Sequence, residues 1–160
     1  MSKKNKSGVT LIILAVTIIV ALALLSTIVI SYDSIKNSMK KREFAKEIYT
    51  IQKLSDEYYF KNNQLAVGDS YSLNLNNESS TDYISQFQDE DSISNVYTDF
   101  YELDLYKIGV ENVARGTKKD EASDVYIVSS KTHKVFYAKG DLIGGYTYYT
   151  LTPELKKMLE

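Results

Sequence analysis

The 160-residue chain contains no cysteine, no tryptophan, one proline and one histidine. The lack of cysteine excludes disulfide frameworks, thiolate metal sites and thiol nucleophiles. The single histidine, His133, lies in a predicted turn, where a solvated residue is favoured over a general base or a metal ligand. Fourteen tyrosines against five phenylalanines indicate a small core completed by amphipathic rings. We therefore expect a protein that is not an enzyme and binds no cofactor.

The charge balance argues against nucleic acid as a partner. The chain has 19 basic and 21 acidic residues and a net charge of -2. If Lys3, Lys4 and Lys6 are removed with a leader, 16 basic residues face 21 acidic ones, which gives a net charge of -5. Binding to a phosphate backbone needs a basic surface. No direct contact with nucleic acid is predicted.

Two acidic runs are candidate calcium sites, because carboxylates are the hard oxygen ligands that calcium prefers. The better candidate consists of Asp120, Glu121 and Asp124, and the second is the run at residues 89–91. Neither has the spacing of an EF-hand, so a solvated loop is the preferred interpretation of both. Asn77 opens an N-x-S triplet that fits a glycosylation sequon, although such triplets often arise by chance.

A long uncharged segment occupies the N-terminal part of the chain. The 23 residues from Gly8 to Ile30 carry no charged side chain, and about 20 such residues cross a hydrocarbon core of roughly 30 Å. Neither proline nor glycine occurs between Val9 and Val67, so nothing in the backbone chemistry interrupts a helix. We predict a single helix from about residue 9 to about residue 60, with residues 9–30 embedded in the membrane.

The second half of this helix, residues 31–62, is predicted to be amphipathic. Five apolar residues recur three or four positions apart and share one helical face; they are Phe44, Ile48, Ile51, Leu54 and Tyr58. We expect this face to pack against a small globular domain formed by residues 63–160.

The globular domain is predicted to be α+β, with a small antiparallel sheet near its C-terminus. The stretches DVYIVSS and HKVFYAK flank a short polar turn, and GGYTYYTL offers a third strand. Alternation in SYSLNL predicts a further strand at residues 70–75, whereas FYELDLYKIGVEN is ambiguous between strand and helix. ELKKMLE after Pro153 is typical of a short terminal helix with proline in its first turn.

The glycine at the border of the apolar segment has alternative interpretations. In an uncleaved signal anchor, Gly8 is merely the first residue of the membrane helix. A secretory signal peptide would use the A-x-A at residues 21–23. However, the apolar run continues beyond Ala23, and a signal core should end before its cleavage site.

A third interpretation comes from resemblance. The stretch KSGVTLIILAVTIIVALALLS resembles the N-terminus of type IV pilins and of the pseudopilins of type II secretion and competence systems, in which a short basic leader, here carrying Lys3, Lys4 and Lys6, ends in glycine. The resemblance implies that residues 1–8 are a leader, that prepilin peptidase cleaves between Gly8 and Val9, and that Val9 is N-methylated. It also implies a pilin-like fold. The C-terminal segment from DVYIVSS to GGYTYYTL is similar to that of pilin-like proteins of Gram-positive bacteria.

The chain departs from the family pattern at one position. The fifth mature residue of major pilins is a glutamate, and here it is Ile13. A lone carboxylate in a membrane helix implies a partner, and in the family this partner is the N-terminal amine of a neighbouring subunit. Loss of the carboxylate therefore favours a tip or minor subunit over an ordinary subunit of the shaft.

The orientation in the membrane is predicted differently by charge and by resemblance. Five basic residues follow the apolar segment, against three before it, so the positive-inside rule predicts a cytoplasmic domain; these five are Lys36, Lys40, Lys41, Arg42 and Lys46. The resemblance implies a single-pass membrane protein whose C-terminal domain is extracellular and which assembles into a surface filament. We follow the resemblance.

The expected function is that of a structural subunit in a type IV pilus, competence or type II secretion-like filament. Its partners would be the membrane, prepilin peptidase and other pilin-like subunits. The alternative is a single-span, signal-anchored membrane protein whose exposed domain binds a ligand or partner without polymerising.

Overall fold

A computed structural model of the chain describes residues 6–71, 85–87, 100–118 and 121–160. The helices and strands are, in chain order, α1 (Lys6–Asn62), β1 (Val67–Ser70), β2 (Phe100–Leu103), β3 (Tyr126–Ser129), β4 (Val135–Tyr137), β5 (Asp141–Ile143), β6 (Tyr146–Tyr148) and α2 (Pro153–Lys157). The chain divides into two compact units, residues 1–39 and 40–160. Helix α1 contributes residues to both.

The part of α1 in the second unit packs against a small antiparallel sheet. Phe44, Ile48 and Ile51 are fully buried in one core with Tyr126 and Val128 of β3. Leu54 and Tyr58 pack at the edge of the same core. The amphipathic stripe and the α+β class predicted from the sequence are thus confirmed.

The main sheet has four strands in the order β1-β2-β3-β4, and every neighbouring pair is antiparallel. Its second face carries another apolar cluster, which includes Ile127 and Phe136. Phe87 covers this face and stacks on Phe136 with the ring centroids 4.4 Å apart. Because both faces are covered, all four residues of β3 are buried although successive side chains point to opposite sides.

Strand β6 does not join the main sheet, which corrects the expectation for GGYTYYTL. It pairs with β5 in a separate two-stranded sheet, and Ile143 lies opposite Tyr146. The two residues between them, Gly144 and Gly145, have φ of 64° and 85°, which suits a two-residue hairpin loop. The glycines therefore close a local hairpin.

The strand predicted at residues 70–75 falls mostly outside the described residues. Strand β1 ends at Ser70, and residues 72–75 lie outside the described part of the chain. The ambiguous stretch that starts at Phe100 forms β2 and then leaves the sheet in a turn.

Side chains cover the outer edge of β4. The Gln52 Oε1 atom of α1 accepts a hydrogen bond from the Val135 backbone N–H at 2.7 Å, and its Nε2 atom donates to the His133 carbonyl at 3.0 Å. The Thr150 hydroxyl donates to the Val135 carbonyl at 2.8 Å. One glutamine thus ties α1 to the hairpin formed by β3 and β4.

The terminal helix α2 begins as predicted, with Pro153 in its first turn. The Thr152 hydroxyl caps the helix by accepting from the Leu155 N–H. Leu155 is fully buried, and Glu154 forms an ion pair with Lys41 of α1 at 2.8 Å. Both contacts hold α2 against the rest of the second unit.

Candidate functional site

The predicted cleavage site lies in the first turn of α1. The helix begins at Lys6 and runs through Gly8 and Val9, while Lys3 and Lys4 lie outside the described residues. The first four N–H groups of a helix have no partner inside it, and glycine costs about 1 kcal/mol relative to alanine in a helix. Unwinding this end to expose the Gly8–Val9 peptide bond to a peptidase is therefore inexpensive.

The next turns of α1 present an exposed apolar surface. Eight large apolar side chains between positions 12 and 22 are 51 to 66% exposed; they are Ile12, Ile13, Leu14, Val16, Ile18, Ile19, Val20 and Leu22. The Thr17 hydroxyl donates to the Leu14 carbonyl at 2.8 Å, so it needs no outside partner. Ile13, where the sequence resemblance implies a glutamate, is 58% exposed and adds to this surface.

Within the residues that the structure describes, none of the helices combines the length and the apolarity that a bilayer crossing requires.

An ionic cluster joins α1 to two distant segments of the second unit. The Arg115 guanidinium donates to the Glu47 carboxylate of α1 at 2.5 Å and to the Asp141 carboxylate of β5 at 2.5 and 2.8 Å. The other Glu47 oxygen accepts from the backbone N–H groups of Ala114 and Arg115 at 2.9 and 3.1 Å. The Arg115 guanidinium also lies 5.4 Å from the centre of the Phe44 ring.

This cluster is structural rather than catalytic in its chemistry. Burial disfavours the charge of Arg115, but the carboxylates of Asp141 and Glu47 outweigh it and raise the pKa of the guanidinium. Burial and the nearby Glu47 carboxylate raise the pKa of Tyr126 well above its usual value. Neither group therefore exchanges a proton near neutral pH. The cluster could not be predicted from the sequence, because its members are far apart in the chain.

Of the predicted calcium ligands, Asp124 is used inside the domain. Its carboxylate accepts hydrogen bonds from the Gly116 N–H at 2.7 Å, from the Thr117 N–H and hydroxyl at 3.2 and 3.0 Å, and from the Tyr137 hydroxyl at 2.8 Å. Burial opposes ionisation, but these donors outweigh it and hold the pKa of Asp124 below its usual value. Asp124 thus organises the turn before β3.

The remaining predicted polar sites are only partly described. Glu121 is exposed and pairs with Lys139 at 3.4 Å, whereas Asp120, Asn77 and residues 89–91 lie outside the described residues. Across residues 6–71, 85–87, 100–118 and 121–160, no three histidine or acidic side chains come close enough to hold a metal ion.

His133 lies in the turn between β3 and β4, as predicted, with φ of 58°. His133 is partly exposed, and the centroid of its ring is 4.1 Å from that of Tyr59. The imidazole therefore packs the hairpin onto α1.

A polar depression of about 310 Å³ lies beside β1, β2 and β3. Glu102 on its wall pairs with Lys118 at 2.5 Å, and Asp104 pairs with Lys107 at 3.2 Å. The charges of these carboxylates are therefore balanced within the domain.

Comparison of the chain with protein-family models, with curated proteins and with solved structures found no significant match.

Proposed function

We propose that this chain is a pilin-like structural subunit, matured between Gly8 and Val9, that serves in a type IV pilus, competence or type II secretion-like filament. The observation that carries the proposal is the length of α1 together with the different burial of its two parts. The helix runs from Lys6 to Asn62. It buries Phe44, Ile48 and Ile51 in the core of its own domain, while its apolar side chains between positions 12 and 22 are left exposed.

The exposed apolar surface requires an apolar environment. Two such environments surround it in succession, first lipid and then neighbouring helices. In the membrane, lipid surrounds the uncharged segment from Gly8 to Ile30. In a filament, neighbouring helices take the place of lipid, since leaving this surface in water costs roughly 25 cal/mol per Å². The function is mechanical, with the C-terminal domain extracellular and the helix acting first as anchor and then as assembly surface.

Ile13 bears on the position of the subunit in the filament. An isoleucine has no charge with which to register against the N-terminal amine of a neighbour. A tip or minor subunit, which has no subunit ahead of it, does not need that contact. We therefore assign the chain to a minor or tip position.

The test is the N-terminal sequence and intact mass of the protein isolated from membranes of its native host. A start at Val9 with one added methyl group is the expected result. A Gly8→Leu variant should keep the leader, because a bulky side chain shields the carbonyl that the peptidase attacks, whereas Ser7→Ala should be processed normally. A retained leader in the wild-type protein would overturn the proposal and favour a signal-anchored domain that does not polymerise.

A further inference from the structure

Charge is strongly segregated along the sequence. Residues 36–46 carry five basic side chains and one acidic side chain, a net charge of +4. Residues 47–160 carry 11 basic and 19 acidic side chains, a net charge of -8. A short basic segment therefore separates the uncharged N-terminal segment from an acidic domain.

Three residues of this segment are free to bind an anion. Lys40, Arg42 and Lys46, which we call the basic collar, have exposed side chains on α1. Among the described residues, none of the three forms an ion pair. Lys41, in contrast, is paired with Glu154.

Several cations elsewhere in the second unit are neutralised by their own domain. Lys107, Arg115, Lys118 and Lys139 each pair with a carboxylate. The contrast is informative because a basic residue without an internal partner keeps its full charge available to an outside one. The collar is thus a surface that attracts anions on an otherwise acidic molecule.

We propose that the basic collar binds the anionic lipid headgroups at the membrane surface from which α1 emerges. This inference rests on the part of the proposed function that places the uncharged segment in a bilayer. Lys40 lies ten positions after Ile30, which corresponds to about 15 Å along a helix. Long side chains on a helix lean toward its N-terminus, which for Lys40 is the direction of the headgroups.

The charge distribution also explains why lipid is favoured over other anions. A basic segment next to a membrane anchor is drawn to an anionic leaflet. The attraction decays with a Debye length of roughly 8 to 10 Å, so Lys40 contributes more of it than Lys46, which lies about 9 Å further along the helix. The same leaflet repels the acidic domain beyond Lys46.

The experiment uses the full-length chain in lipid vesicles. The wild-type sequence has no cysteine, so a Met39→Cys variant carries a single thiol for a fluorescent probe beside the collar, at a position that is 60% exposed. Quenching of the probe by neutral acrylamide is compared between phosphatidylcholine vesicles and vesicles with about one third phosphatidylglycerol.

We expect quenching to fall roughly twofold or more in the anionic vesicles and to recover at high salt. Replacing Lys40, Arg42 and Lys46 by glutamine should abolish the difference. The matched control replaces three other exposed lysines by glutamine, which removes the same charge from the domain and should leave the difference intact; these are Lys61, Lys156 and Lys157.

Equal quenching of the wild-type protein in both kinds of vesicle would overturn the inference, as would a difference that survives in the collar variant. Protection that rises with protein density in neutral vesicles would also overturn it, because the acidic domain of a second copy would then be the partner. Failure of the protein to float with neutral vesicles would instead refute the membrane anchor, and with it the proposed function.

Discussion

Replacing Arg115 by methionine should strongly destabilise the second unit, because it leaves two carboxylates without their cation. The side chains of Arg115, Glu47 and Asp141 are only 17, 14 and 25% exposed. Breaking a fully buried pair costs about 3 to 5 kcal/mol, whereas an exposed pair contributes about 0 to 1 kcal/mol. The partial exposure places the expected loss at about 2 to 4 kcal/mol.

A double-mutant cycle separates the charge effect from lost packing on Phe44. Asp141→Asn alone should cost about 1 to 2 kcal/mol, because Arg115 keeps its partner Glu47. In the Arg115→Met background the same change removes an unpaired charge. The double variant should therefore be more stable than the sum of the single changes predicts, by about 1 kcal/mol or more.

The assay is urea unfolding of the full chain in detergent, followed by near-ultraviolet circular dichroism of the 14 tyrosines. Arg42→Met is the matched control, since Arg42 is exposed and its loss should change the free energy of unfolding by no more than about 0.5 kcal/mol. Additive effects of Arg115→Met and Asp141→Asn would refute the reasoning. A loss for Arg115→Met no larger than that of the control would do so as well.

Three further predictions concern single positions. Asp124→Asn should lower the free energy of unfolding by about 1 to 3 kcal/mol at neutral pH. Because the folded-state pKa of Asp124 is lowered, the difference from wild type in urea unfolding should shrink as the pH falls below about 4. A difference that stays constant with pH would contradict this. Gly116→Ala should cost about 2 kcal/mol by thermal unfolding, since φ is +74° and the added Cβ atom would lie 2.6 Å from the Tyr126 ring; an unchanged midpoint would count against it. Ile19→Asp should abolish membrane retention and assembly in fractionation assays, because a carboxylate in the apolar surface is costly in lipid and between helices, and normal retention would be incompatible with the proposed role of α1.

The sequence predicted the parts of the fold that depend on local periodicity. The stripe of Phe44, Ile48 and Ile51 identified the buried face of α1, and the start of α2 was predictable from Pro153. These features follow from helical spacing and from the chemistry of a single residue. They need no knowledge of what the chain contacts elsewhere.

Features that depend on long-range contacts were not predictable. The ion pairs of Arg115 reach 68 residues back to Glu47 and 26 residues forward to Asp141, and no spacing rule links such positions. The pairing of β6 was misjudged for a related reason. Its strand character was evident, but its partner was decided by the short loop at Gly144 and Gly145 rather than by its similarity to β3 and β4.

The side chains that cover the edge of β4 affect how easily copies of this protein aggregate. An open strand edge offers unpaired N–H and C=O groups to any extended chain that comes near, and this is a common route to aggregation. At Val135 both backbone groups are already satisfied, the N–H by Gln52 and the carbonyl by Thr150. An incoming strand would have to displace both side chains first, so the β4 edge of the main sheet is protected at Val135 against edge-to-edge pairing with another copy.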